Sequence, residues 1–94
     1  MKRVVFLLEE PSMKALLEPL LRRLLPGVHV QLVAHQGKTD LDRSIPTKLR
    51  AYNGQEVQFV ILRDTDGADC HALKRRLVEL CASNGRPDTL VRLV

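Results

Sequence analysis

The chain has no tryptophan, one tyrosine and two phenylalanines among its 94 residues. Aromatic side chains make up 3% of the composition, too few for the stacking platforms on which single-strand nucleic-acid binders lay their bases. A packed core must therefore rest on leucine and valine. Cysteine is equally scarce, with Cys70 and Cys81 alone. Both fall in one predicted helix and share a face, but they are separated by roughly 16 Å along its axis, beyond the reach of a disulfide. No C-x-x-C or H-x-x-x-H pair occurs, which excludes the common zinc patterns. The two cysteines read as small buried hydrophobes. No apolar run approaches the ~18 residues needed to span a bilayer. The opening Met1–Leu8 has the basic-then-apolar look of a signal peptide, but it breaks at Glu9-Glu10-Pro11 without a small-residue cleavage site. A buried first strand and a cytoplasmic location are the expectation.

What is present suits one globular domain spanning residues 1–94. Apolar residues are 45% of the chain, enough for a single core. The net charge of +4 is spread over Arg22-Arg23, Arg43, Lys48, Arg50 and Lys74-Arg75-Arg76. Such spacing describes a solvated surface with a slight basic bias, compatible with a polyanionic partner without demanding one.

Hydropathy patterning gives the element order. Val4–Leu8 is a continuous apolar run, the mark of a strand covered on both faces. Ser12 is placed to cap a helix over Met13–Leu25, where Leu16, Leu17, Leu20, Leu21 and Leu24 recur at helical spacing. Pro19 inside it predicts a kink or a later start, and Pro26-Gly27 ends it. Val28–Ala34 alternates, with His29, Gln31 and His35 on the wet parity of a strand near the sheet edge. Gln36–Asp40 reads as a loop. Thr39 or Asp40 then caps a helix carrying Leu41, Ile45 and Leu49, with Pro46 in its path. Asn53-Gly54 marks a turn. Val57–Leu62 is the third strand. Asp66-Gly67 leads into a helix with Ala68, Ala72, Leu73, Leu77, Leu80 and Cys81 on one side, and Thr89–Val94 is a fourth strand. The order βαβαβαβ predicts an α/β three-layer sandwich with a mainly parallel four-stranded sheet.

Carboxylates follow two of those strands: Glu9 after the first, Asp64 and Asp66 after the third. Ligands of open parallel sheets bind outside the carboxyl ends of the strands. Three carboxylates gathered there need a cation or a proton to offset their repulsion, and hard oxygen donors suit Mg²⁺. The alternative for Asp64 and Asp66 is capping of the next helix; Asp69 is expected in its first turn. An acidic pair after the first strand and an Asp after the third also outline a receiver domain, but there is no room for its fifth strand and lysine. Gly37-Lys38-Thr39 lacks the earlier glycine of a phosphate-binding loop.

Phe6-Leu7-Leu8-Glu9-Glu10-Pro11-Ser12 resembles the hhhEGxS opening of Toprim domains, and Arg63-Asp64-Thr65-Asp66-Gly67 resembles their D-x-D motif. The whole run is similar to a bacterial Toprim-like family of uncharacterised function, often encoded beside AAA-type ATPases. Glu9 and Pro11-Ser12 carry that likeness, with Gly37–Leu41, Ile45–Arg50, Arg63–Asp66, Asp69-Cys70 and Leu73-Lys74. The resemblance implies a Mg²⁺- or Mn²⁺-dependent phosphoryl-transfer, nuclease-type domain acting on nucleic acid, with an AAA-type ATPase partner. It gives Glu9 the general acid/base or metal-contacting role, and makes Asp64 and Asp66 the metal ligands. Lys38, Lys74 and Arg75 are candidate phosphate contacts. Glu10 stands where Toprim domains have glycine, and relatives continue past the fourth strand. Both departures motivate the alternative of a non-catalytic interaction module that keeps the fold. The last strand, if at a sheet edge, suits pairing with a copy of the chain, so a homodimer is the expected assembly.

Overall fold

The computed structural model describes residues 2–52, 55–65 and 69–94. The chain runs β1 (Lys2–Leu8), α1 (Pro11–Leu24), β2 (Val28–Ala34), α2 (Lys38–Ala51), β3 (Val57–Arg63), α3 (Cys70–Ser83) and β4 (Leu90–Leu93). The four strands form one all-parallel sheet in the order β2-β1-β3-β4. From β1 the chain steps outward to β2 through α1. It then returns through α2 to β3, on the other side of β1. Strand order therefore reverses between β1 and β3, where parallel sheets open their ligand crevices.

Alternation along the central strands sorts the layers. Val5 and Leu7 of β1, with Val57, Phe59 and Ile61 of β3, pack against two helical stripes. These are Leu41, Ile45 and Leu49 on α2, and Leu73, Leu77 and Cys81 on α3, each at fourfold spacing. Phe59 is the largest side chain buried there, and burying a phenylalanine contributes about 1.5–3 kcal/mol. The opposite face is thinner. It is covered by α1, which lies against β1 and β2 and has no buried residue. Leu16, Leu20 and Leu24 of α1 are 74%, 47% and 64% exposed.

Local details differ from the sequence expectation for definable reasons. The first helix starts at Pro11, with Glu10 in the capping position, because proline suits the first helical turn; Ser12 is inside that turn rather than its cap. The helix continues through Pro19 to Leu24. The second helix begins at Lys38, inside the expected loop, with Gly37 as its cap at φ 97°. That backbone angle favours glycine over every other residue. Asp40 accepts a hydrogen bond from the Gln36 N–H at 2.8 Å. Pro46 sits mid-helix and withdraws the N–H that would have closed on the Asp42 carbonyl. The wet-strand expectation fails at His35, which is 5% exposed. It lies beyond the end of β2, where the chain folds in against β1. The Asn53-Gly54 turn and Ala68 lie outside the described residues.

Cys81 is buried, whereas Cys70, expected buried, is exposed. It is the first residue of α3, and the helix first meets the core a turn later, at Leu73. Burial raises the Cys81 thiol above its ordinary range, tempered by its hydrogen bond with Thr89. We expect a maleimide to label Cys70 quickly in the native protein and Cys81 only after unfolding, read by mass spectrometry. The raised thiol also has a pH signature. Its contribution to stability is complete below about pH 8.5 and is lost as the pH climbs further, because the unfolded chain ionises first. A Cys81→Ala variant should lack that alkaline slope in urea titrations.

Candidate functional site at the carboxyl edge of the sheet

Register brings Glu9 and Asp64, just past the ends of the first and third strands, to one edge of the sheet. Leu7 pairs with Ile61, so extending the ladder by two residues sets Glu9 level with Arg63. Both continue the parity of Val5, Leu7, Phe59 and Ile61, and thus face the α2–α3 layer. Glu9 is nearly buried at 9% exposure. Its Oε2 accepts a short hydrogen bond from the Asp64 N–H. Beyond Leu8 the main chain of β1 no longer pairs with β3, and the Glu9 carboxylate supplies the next acceptor in its place. On the other side, the Glu9 carbonyl accepts from the Gly37 N–H at 2.8 Å, tying it to the start of α2. Glu9 therefore joins β1 to both flanking segments.

The main chain around Asp64 is held from several directions. The Arg63 carbonyl accepts from the Val94 N–H at 3.0 Å, and the Thr65 N–H donates to the Val94 carbonyl at 3.1 Å. These bonds carry the β3–β4 ladder past Leu93. Arg63 donates through Nη1 to the Asp64 carbonyl. Its Nε and Nη2 donate to the two carboxylate oxygens of Asp42, each at 2.9 Å. This is the bidentate fork that guanidinium geometry favours. Arg76 of α3 adds a longer bond to Asp42 at 3.3 Å.

The charges explain one another. Arg63 is buried, a position that penalises an unpaired cation. Its guanidinium is nevertheless held above its ordinary pKa, first by the hydrogen-bonded Asp42 carboxylate, then by the charges of Asp42, Glu9 and Asp64 against the cost of burial. Gathered carboxylates need a cation or a proton to offset their charge. A resident cation, Arg63, already answers part of the repulsion between Glu9 and Asp64. Neither Arg63 nor Asp42 was anticipated. The available signal was a charged residue on the buried parity of β3, directly after Ile61.

The expected site residues fall out as follows. The Glu9 carboxylate reaches the Asp64 main-chain N–H, and Asp64 itself is exposed. Asp66 lies outside the described residues. Among the described residues, no three His, Cys, Asp or Glu side chains form a ready-made cation cage. Capping of α3, the competing role for Asp64, is performed by Asp69, whose Oδ1 accepts from the His71 and Ala72 N–H groups at 3.0 and 3.3 Å. Asp69 is thus the cap rather than a first-turn residue. Lys38 opens α2 one residue beyond Gly37, on the same edge as Glu9. Lys74 and Arg75 are exposed on α3. Their neighbour Arg76 is the one that reaches the acidic group, through Asp42. Glu10, at the glycine position of the Toprim pattern, is exposed with an extended backbone (φ −149°) that any residue adopts.

His35 is a second unanticipated participant. Its Nδ1 bonds the Leu8 carbonyl at 2.8 Å, which fixes the proton on Nδ1. Its buried Nε2 has no hydrogen-bond partner among the described residues. A hollow of about 680 Å³ lies at the opposite sheet edge, by Lys2, Arg3, Gln55 and Arg86. Two of its cations are already engaged: Arg86 donates to the Tyr52, Gln55 and Val57 carbonyls, and Arg3 donates to Gln55. A second hollow, about 540 Å³, runs between α2 and α3 and touches the site through Asp42 and Arg76.

The division of labour between Asp64 and Asp69 is measurable. Asp69→Ala should lower unfolding stability by about 1 kcal/mol, the usual loss for a helix cap, in urea titrations. It should leave any cation response at the sheet edge intact. Among the described residues, no helix is long and apolar enough to cross a membrane. No family model matches this chain, and neither the curated proteins nor the solved structures give a match.

Proposed function

We propose that the carboxyl edge between β1 and β3 is a divalent-cation site, and that the domain is a Toprim-like, metal-dependent phosphoryl-transfer module acting on nucleic acid. One observation carries this reading. Glu9 and Asp64 stand 55 residues apart in the sequence, and the Glu9 carboxylate bonds the Asp64 N–H at the crossover point of the sheet. The donor chemistry fits a hard cation. Asp64, with Asp66 two residues on, would hold Mg²⁺ or Mn²⁺ through carboxylate oxygens, and Glu9 stands beside them. When bound there, the ion supplies positive charge to a transferring phosphate. Glu9 orders Asp64 through its N–H and is the group beside the reacting phosphate suited to moving a proton. Lys38, at the start of α2 on the same edge, is the nearest candidate for a phosphate oxygen. Lys74 and Arg75 provide backbone electrostatics further along α3. An AAA-type ATPase partner follows from the family resemblance.

A second reading is a non-catalytic interaction module. The exposed leucine ridge of α1 and the open edge of β4 favour it, since both suit contact with another chain, including a second copy.

Calorimetric titration with Mg²⁺ and Mn²⁺ separates the two. The first reading predicts one site per chain, lost in Asp64→Ala and Asp66→Ala while circular dichroism stays native, together with metal-dependent cleavage of single- or double-stranded DNA or RNA. Equal affinity in both variants contradicts it. Absence of cleavage, with assembly that is disrupted by Leu20→Lys, supports the interaction module.

A further inference from the structure

We propose that the Asp42–Arg63 ion pair is a positioning device for Asp64, fixing the peptide from which this carboxylate projects. The inference rests on the cation-site reading above and extends it to two residues outside the acidic motif.

Both polar atoms of the Asp64 main chain are bound by charged side chains. Its N–H donates to the Glu9 carboxylate, and its carbonyl accepts from Arg63 Nη1. Hydrogen bonds of this charge-assisted kind are roughly twice as strong as neutral ones. Arg63 reaches the Asp64 carbonyl with one arm of a planar group whose other two nitrogens are fixed on Asp42, both at 2.9 Å. The guanidinium cannot turn without breaking that fork. Asp42 sits on α2 directly after the buried Leu41, so the fork is anchored to the core. The chain of contacts runs from packed helix to carboxylate to guanidinium to the Asp64 peptide. A lysine at position 63 would keep the charge but lose this geometry, because an ammonium is a point donor on a flexible stem.

The pair also keeps the resident cation in its place. With its Nε and Nη2 occupied by Asp42, Arg63 is held back from closing on the Glu9 and Asp64 carboxylates. Freed from Asp42, the same guanidinium would be drawn to them and compete with a divalent ion for their oxygens.

The test uses the metal-free protein first. Hydrogen exchange by NMR should show the Asp64 amide protected in the wild type. In Asp42→Asn and Arg63→Lys it should exchange at least about tenfold faster, while the Leu7, Phe59 and Ile61 amides keep their protection. Mg²⁺ titration of the same proteins should then show affinity reduced by about 10–100-fold in both variants, the range expected for groups that orient a ligand. Equal protection of Asp64 in wild type and both variants overturns the proposal. Uniform acceleration across the core amides overturns it too, since that pattern marks a merely structural pair. If the wild type fails to bind Mg²⁺, the cation reading falls, and the exchange data still decide whether the pair positions Asp64.

Discussion

The hydrogen bond from the Asp64 N–H to the Glu9 carboxylate is the contact on which the functional edge depends. Parallel pairing of β1 with β3 brings the two strand ends side by side, but the β1 main chain leaves the ladder at Leu8. Without a further acceptor, the first amide beyond β3 would lose its partner just where the chain must turn toward α3. Glu9 provides that acceptor with its side chain while its own carbonyl holds Gly37. One residue thereby fixes the end of the β2–α2 connection and the start of the β3–α3 connection. A carboxylate in this position also places negative charge at the sheet edge, so the structural tie and the proposed chemistry share an origin.

That charge is managed from within. Arg63 faces the same helix layer as Glu9 and is clasped by Asp42, with Arg76 outside it. The Asp42 side chain stays 23% exposed beside an Arg63 side chain that is 8% exposed, so the pair is partly solvated rather than sealed in the core. The arrangement is therefore a constraint as much as a stabiliser. It ties α2, α3 and β3 together at the edge where order matters most. The opposite face, under α1, packs less deeply, since α1 has no buried residue.

Much of the architecture is legible in sequence because it rests on short-range patterns. Continuous apolar runs mark β1 and β3 as doubly covered strands, and fourfold apolar spacing marks α2 and α3. An alternating helix–strand order then leaves a parallel sheet as the economical arrangement. The meeting of Glu9 with Asp64 follows once the two strands are adjacent. What pattern reading misses depends on contacts across long separations. Arg63 and Asp42 are 21 residues apart and meet only after a strand and a helix are stacked. His35 looks like the wet side of a strand, yet it folds in against the Leu8 carbonyl. Cys70 has the spacing of a core residue but precedes the turn at which α3 reaches the core. Capping is similarly ambiguous: Asp64, Asp66 and Asp69 all precede one helix, and backbone geometry alone makes Asp69 the cap.

The central claim is that Glu9 and Asp64 share one cation site at the β1–β3 edge. Mn²⁺ as a paramagnetic probe in two-dimensional NMR tests it most directly, because broadening falls off steeply with distance from the ion. The account predicts that substoichiometric Mn²⁺ erases the amide signals of Glu9, Asp64 and their immediate neighbours first, with signals around the exposed Glu56 and Glu79 persisting. Broadening spread evenly over surface carboxylates, or none at the β1–β3 edge at millimolar metal, would contradict it.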